Sequence, residues 1–364
     1  MTDRYGELKS VAKALGVDAL ALVPGPNFER LYGRRFMSNE RPLAVVIPTE
    51  GVPAAIVPNL ELRSFDLVDF EGAVFDWRDQ DGYQRAFDAL ADHMPLTSLA
   101  VEGQVMRVFI HHAFAAALPG LRIVDGEHEI SGLRLIKSPE EIAAIEHAVR
   151  IAETALGETL GAVRAGMTEK EVEALLTQAL FRAGAEEHAF SPLVASGAHS
   201  ARPHAHARAD AHIAEGDALL IDFGARADGL VSDITRTVFV GHATDEAHAV
   251  YDTVLSANET GHAATRAGTT AHDVDDAVIS VLEASPFADR IRTKTGHGMG
   301  REVHEAPYIM RGNHQPLEAG MVFTIEPGLY KIDGFGVRIE DDVLVTETGC
   351  RSLTSFPKQL QVVG

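Results

Sequence analysis

Short apolar runs, each closed by a glycine, proline, asparagine or acidic turn signal, dominate the first third of the chain and read as β-strands. They fall at residues 19–23, 43–47 and 54–57, the last two joined through Thr49-Glu50-Gly51, and again at 99–102 and 121–124. Residues 83–93 instead place apolar side chains at helical spacing. Strands alternating with helices predict an α/β domain, and no catalytic cluster stands out within it. At Ser138-Pro139-Glu140-Glu141 the pattern changes. A serine N-cap, a proline at the first helical position and a glutamate at the third start a helix that apolar spacing carries to about residue 163. The domain boundary is placed just before it, giving domains 1–132 and 133–364.

Beyond that boundary the pattern repeats after about a hundred positions. Arg164-Ala165-Gly166-Met167-Thr168 leads to Glu171, and Arg266-Ala267-Gly268-Thr269-Thr270 leads to Asp273, so both mark helix starts with a capping box, the second a looser version. Farther on, Asp222 lies between Gly216 and Gly224 as Glu326 lies between Gly320 and Gly328. Each acid is followed by an Asp-Gly pair, Asp228-Gly229 or Asp333-Gly334, and then by a second acid, Asp233 or Glu340. An apolar run, an Asp-Gly turn and another apolar run predict a β-hairpin whose two acids straddle the turn almost symmetrically. The predicted unit, a helix and then a strand pair, is used twice.

Composition narrows the setting. The chain has 364 residues, 46% hydrophobic and 23% charged, which is ordinary globular usage with room for two domains. A formal net charge of -21 argues against nucleic acid or an anionic membrane surface as a partner. No apolar run approaches the roughly 20 residues of a membrane span, and residues 1–17 are too polar for a secretory signal, so the cytoplasm is the expected compartment. The single cysteine, Cys350, excludes an intrachain disulfide and a cysteine-based zinc site.

The matched acids carry the chemistry. Facing residues on paired strands have Cβ atoms about 4.5–5.5 Å apart, where like charges destabilise unless a cation offsets them. Four carboxylates from two hairpins supply hard oxygen ligands enough for two divalent ions. His297, in Thr295-Gly296-His297-Gly298-Met299-Gly300, adds a nitrogen ligand. His199, His206 and His314 have no spacing that singles them out and are read as ordinary structural or surface histidines.

Several of these stretches resemble one known group. Ser196-Gly197 leading to Pro203-His204, Asp222, Ser232-Asp233-Ile234-Thr235-Arg236-Thr237, His297-Gly298-Met299-Gly300 with His304-Glu305-Ala306-Pro307, Glu326-Pro327-Gly328 and Arg338-Ile339-Glu340-Asp341 are similar to the pita-bread metallopeptidases. That family includes methionine aminopeptidase, aminopeptidase P (Xaa-Pro aminopeptidase) and prolidase (Xaa-Pro dipeptidase). The resemblance spans residues 138–357, and Gly25-Pro26-Asn27 with Glu40-Arg41-Pro42 extend it to the first domain. It implies an α/β N-terminal domain followed by an α+β, pseudo-symmetric creatinase/aminopeptidase domain. It implies that Asp233 and Glu340 bridge two ions, that Asp222 completes one and that His297 and Glu326 complete the other. It further implies attack by a metal-bridged hydroxide, Glu326 as proton carrier, and His204 and His304 as donors to the scissile carbonyl. The hard donor set favours manganese, ahead of cobalt, iron or zinc.

For substrate, the preceding α/β domain counts against methionine aminopeptidase, and the compact length favours an Xaa-Pro dipeptidase over aminopeptidase P. A creatinase-like enzyme or a catalytically silent binding protein would lack some of the five ligands, all of which are present. A dipeptide pocket needs a cation for the proline carboxylate. Arg338 is one candidate, although pairing with a ligand carboxylate is its simpler role. In some prolidases an arginine stands four positions after the second histidine; Tyr308 occupies that position here and joins His204, His304 and Arg338 as an expected substrate contact. Arg311, or a loop carrying Arg34, Arg35 or Arg41 from this chain or a second copy, completes the candidates. The resemblance also implies a homodimer.

Overall fold

The apolar runs of the first third become six strands: β1 (Ala19–Leu22), β2 (Ala44–Pro48), β3 (Ala54–Pro58), β4 (Ala73–Trp77), β5 (Ser98–Val101) and β6 (Arg122–Asp125). The computed structural model describes residues 4–37 and 39–364, which divide into two compact units, Met1–Arg134 and Leu135–Gly364. In the first unit the strands form one mixed sheet in the order β4-β3-β2-β1-β5-β6. The central strands are buried on both faces, and alternate residues divide between two cores. Ala19, Ala21, Val46, Ile56 and Leu99 pack with Phe87, Leu90, Ile110 and Phe114. Leu20, Leu22, Val45, Ile47 and Val57 pack on the other side with Leu8, Ala12, Phe28, Tyr32 and Ile130. Helices α1 (Gly6–Ala14), α2 (Pro26–Tyr32), α3 (Leu62–Phe65), α4 (Gln84–His93), α5 (Val108–Ala117) and α6 (Glu127–Gly132) cover the two faces. Of these only α4 shows in the sequence pattern.

The second unit opens with α7 (Pro139–Ala162), whose capping box joins Ser138 and Glu141 reciprocally. Then come α8 (Glu169–Ala183), β7 (Glu187–His188), β8 (Leu193–Ser196), β9 (Ala218–Phe223), β10 (Ala225–Ala227), β11 (Leu230–Val231) and β12 (Ile234–Val240). The second half repeats the order with α9 (Asp245–Ala264), α10 (Ala271–Glu283), β13 (Gly296–Gly298), β14 (Glu305–Ile309), β15 (Val322–Ile325), β16 (Gly328–Tyr330), β17 (Gly336–Arg338) and β18 (Asp341–Val345). Strands β19 (Cys350–Ser352) and β20 (Val362–Val363) complete two sheets, ordered β20-β12-β9-β8 and β14-β13-β15-β18-β19. The repeat is therefore larger than a helix and a strand pair: each half has a long helix, a capping-box helix and several strands. Thr270 and Asp273 make a complete capping box, not a loose one, because the shorter Asp273 side chain still reaches the Thr270 backbone N–H.

Both hairpins form, but their symmetry differs. In the first, Asp228 and Gly229 both have positive φ, 53° and 75°, and the two-residue turn pairs Ala227 with Leu230. That register sets Asp222 opposite Thr235, so Asp233 is its diagonal neighbour and not its mirror. In the second, a longer loop pairs Tyr330 with Gly336 and Ile325 with Asp341. The same register carried one step brings Glu326 opposite Glu340. The near-symmetric placement expected of both pairs thus holds only for the second, because turn length sets register.

A buried ion pair ties the start of α7 to β14. Lys137 Nζ lies 2.7 Å from Glu305 Oε1, with side chains 2% and 4% exposed. Glu305 immediately follows His304. Replacing Lys137 with methionine removes the ammonium from a buried carboxylate, and we expect a loss of about 3–5 kcal/mol in urea unfolding. A loss below about 1 kcal/mol would show that the pair contributes nothing to stability.

Candidate active site

The five expected ligands reach one place from strand ends. Asp222 is the penultimate residue of β9, Asp233 immediately precedes β12, His297 is the centre of β13, Glu326 follows β15 and Glu340 precedes β18. Ligand atoms of Asp233, His297 and Glu340, all buried, lie within 4.8 Å of one another. His297 Nε2 is 3.1 Å from Glu326 Oε1 and 3.8 Å from Asp233 Oδ2.

Neighbouring side chains fix these groups. Thr235 Oγ1 donates to Glu340, and Thr324 Oγ1 donates to Glu326 Oε1 at 3.1 Å. Arg338 bonds Asp222, donates to Tyr330 Oη at 2.8 Å and donates to Thr235 Oγ1 at 3.0 Å. Behind Asp233, the buried Asp342 accepts from its backbone N–H at 3.1 Å. Asp342 and Tyr330 have no role in the sequence reading, and Thr235 enters it only as part of the 232–237 stretch. The one available signal for Asp342 was the unbroken acid run 340–342, whose depth the sequence does not show.

Burial dominates the electrostatics. It drives the Asp233 and Glu340 carboxyls well above the usual carboxylate range, helped at Asp233 by the charges of Glu340 and Asp222 and at Glu340 by those of Glu326 and Asp222. Burial also raises Asp222, against the pull of Arg338. Glu326 ends below its ordinary value: burial pushes it up, but the hydrogen bond and charge of His297, then Arg338 and Lys294, outweigh that. Burial, with His297 alongside, lowers His304 to about 4.

This is an arrangement that calls for a cation. Among the described residues, the buried Asp222 Oδ1 and Asp233 Oδ1 have no hydrogen-bond partner. An unsatisfied buried acceptor costs about 1–3 kcal/mol, and more when charged. Carboxylates with one imidazole suit a hard divalent ion, which satisfies both oxygens and relieves the repulsion.

The ligands line a cavity of about 530 Å³ together with His204, His304 and Arg338. The His297 and His304 rings lie 3.9 Å apart, centroid to centroid. Tyr308 is not brought into this wall. It pairs with His297 across β13 and β14, where the register shifts between His297 and Gly298, and its exposed ring faces the Lys294 ammonium. Arg338 lines the cavity, but its donors are spent on Asp222, Tyr330 and Thr235, the pairing role foreseen as the simpler one. His199 is a satisfied structural histidine, its Nδ1 3.0 Å from the buried Glu169 carboxylate.

Comparison with known proteins fits this geometry. Residues 143–347 match the model of metallopeptidase family M24, and residues 4–136 match the creatinase/prolidase N-terminal domain. The chain belongs to metallopeptidase family M24. Within that family it is 34% identical to the probable dipeptidase PepE of Mycobacterium tuberculosis, over 99% of this chain and 96% of that one. A prolidase structure from Thermococcus sibiricus superposes with a TM-score of 0.93 at 30% identity, covering 100% of both chains. The X-Pro aminopeptidase of Thermotoga maritima follows at 0.86 and 31%, again over 100% of both chains. As an M24 member the protein is a metal-dependent peptidase with the pita-bread fold, and a divalent ion belongs in the site just described. Among the described residues no helix is long and apolar enough to cross a membrane.

Proposed function

We propose that this protein is an Xaa-Pro dipeptidase working with two divalent ions. The observation that carries the reading is the convergence of Asp222, Asp233, His297, Glu326 and Glu340 on one cavity, where Asp222 Oδ1 and Asp233 Oδ1 are buried without a donor among the described residues. Asp233 and Glu340 would bridge the ions, Asp222 would complete one site, and His297 with Glu326 would complete the other. When bound, the ions lower the pKa of water and polarise the scissile carbonyl. The chain's own groups do the rest. Glu326, the acid held lowest in the cluster, accepts the proton of the attacking water and delivers it to the proline nitrogen. His304, neutral down to about pH 4, enters as an imidazole with one N–H to donate, and with His204 it hydrogen-bonds the carbonyl oxygen as charge builds there.

The same reading takes manganese as the resident ion, given four carboxylates against one imidazole. It also takes a homodimer as the assembled form and the cytoplasm as the compartment. The dipeptide preference is supported by the likeness to PepE, a probable dipeptidase, and to a prolidase structure, and by a cavity in the size range of small-ligand sites. The test compares kcat/KM for Xaa-Pro and Xaa-Pro-Yaa. We expect the dipeptide to be cleaved at least about tenfold more efficiently. Equal or faster tripeptide cleavage would reassign the chain to aminopeptidase P chemistry and leave the metal site as it stands.

A further inference from the structure

We infer that Lys137 is a positioning residue for the reaction: its buried ion pair with Glu305 fixes the segment that presents the His304 imidazole to the cavity. This rests on the role given to His304 in the Xaa-Pro dipeptidase reading and adds what holds that imidazole in place.

His304 has little of its own to hold it. It lines the cavity and is exposed there. Among the described residues its ring makes no hydrogen bond or ion pair, and its ring contact is His297, 3.9 Å away between centroids. A donor to a developing oxyanion acts at about 2.7–3.1 Å, and a displacement of about 1 Å can cost about 100-fold in rate. The placement of this imidazole therefore has to come through its main chain.

The residues on both sides of it are held. Glu305, the first residue of β14, is buried, and Lys137 Nζ donates to its Oε1 at 2.7 Å. That contact fixes the residue that shares a peptide bond with His304. Gly300 makes room for the pair: a Cβ there would lie 2.8 Å from Glu305 Oε1 and 3.0 Å from Lys137 Cε. On the other side, Arg301 donates to Glu141 Oε1 at 3.1 Å, and the Arg301 carbonyl accepts from Arg226 Nη2 at 2.7 Å.

Of these contacts the Lys137 pair is the one next to His304, and the one most completely removed from water, where a charge-assisted bond is strong. Lys137 is itself anchored. Its backbone N–H donates to the Gly320 carbonyl at 2.9 Å, and the capping box of α7 begins at the next residue. The ammonium thus links a fixed helix start to the turn that carries the imidazole.

The experiment is a double-mutant cycle on kcat for an Xaa-Pro dipeptide, in the metal-loaded wild type, Lys137→Met, His304→Ala and the two substitutions combined, each checked for folding by circular dichroism at the assay temperature. Should Lys137→Met not fold, Lys137→Met with Glu305→Gln, which leaves no unpaired buried charge, takes its place in the cycle. We expect kcat to fall by about 100-fold in His304→Ala. In Lys137→Met it should fall by about 10- to 100-fold, with KM changed by less than about threefold. In the His304→Ala background the Lys137 substitution should cost less than about threefold more, because the group it positions is already gone. Lys137→Arg, which keeps the charge, should retain most of the wild-type rate. The same loss of kcat in both backgrounds would show that Lys137 serves the fold at large and would overturn the inference. So would a Lys137→Met kcat within about threefold of wild type. A His304→Ala variant with wild-type kcat would instead remove His304 from the mechanism, and the role of Lys137 with it.

Discussion

Glu340→Ala is expected to lose bound metal and activity together, with kcat/KM falling by at least about 10³-fold. Glu340 shares one cluster with Asp233 and His297 inside 4.8 Å, and Thr235 aims its carboxylate there. Removing it takes away an acid whose ligand oxygen lies within 4.8 Å of those of Asp233 and His297. The fold should survive. The Glu340 backbone N–H donates to Thr235 O at 3.1 Å, and Arg236 Nη1 donates to the Glu340 carbonyl at 2.6 Å, so the main chain is held independently of the side chain. The substitution also deletes a buried like charge, so the metal-free variant should unfold at a temperature no lower than the metal-free wild type. Metal analysis after dialysis, peptidase assay and thermal unfolding of the two metal-free proteins check all three points. Full activity with metal retained would show that the site is wrongly placed.

Metal removal is expected to destabilise the protein in a pH-dependent way. In the metal-free protein Asp233, Glu340 and Asp342 have folded-state pKa values well above those of the unfolded chain, burial being the first cause in each. Groups raised in this way stabilise the fold fully below the unfolded value, about 4, and lose that contribution as pH rises through the folded value. The metal-free protein should therefore weaken as pH rises from about 4. Bound ions reverse this by fixing the carboxylates as anions, so loading at neutral pH should release protons. At about 100-fold excess over Kd, one ion is worth roughly 2.7 kcal/mol, or a Tm gain of roughly 5–10 °C for a unit of this size. The gain should shrink towards pH 5, where protons compete for the same oxygens. Thermal scans from pH 5 to 8 with and without manganese measure it, and calorimetry in buffers of different ionisation heat counts the protons. A gain that grows on acidification would contradict the assignment of these carboxylates.

The duplication made much of the site legible. Asp222, Asp233, Glu326 and Glu340 recur in matched frames because each half rebuilds the same hairpin, and local turn chemistry encodes a hairpin. The capping boxes at Ser138, Thr168 and Thr270 were legible for the same reason, since each is complete within a few residues. Contacts between distant segments were not. The Lys137–Glu305 pair, the Asp342 bond to Asp233 and the commitment of Arg338 to Asp222 exist only once the sheets have closed. Register fell between these cases. The Asp-Gly signal marked both turns, but the two-residue turn at Asp228-Gly229 and the longer loop after Tyr330 give different offsets, so Asp222 faces Thr235 where Glu326 comes to face Glu340. Tyr308 shows the same limit. Counting from His304 gave its position in the chain, whereas the register shift beside His297 decides which wall it stands in.

Titration of metal-free protein with manganese, following bound ions per chain and Xaa-Pro hydrolysis in the same samples, tests the dinuclear account most directly. The account predicts an inactive starting protein, two ions bound per chain at saturation, and an activity that is complete only when the second has bound. Full hydrolysis by the metal-free protein, or binding that stops at one ion with full activity, would contradict it.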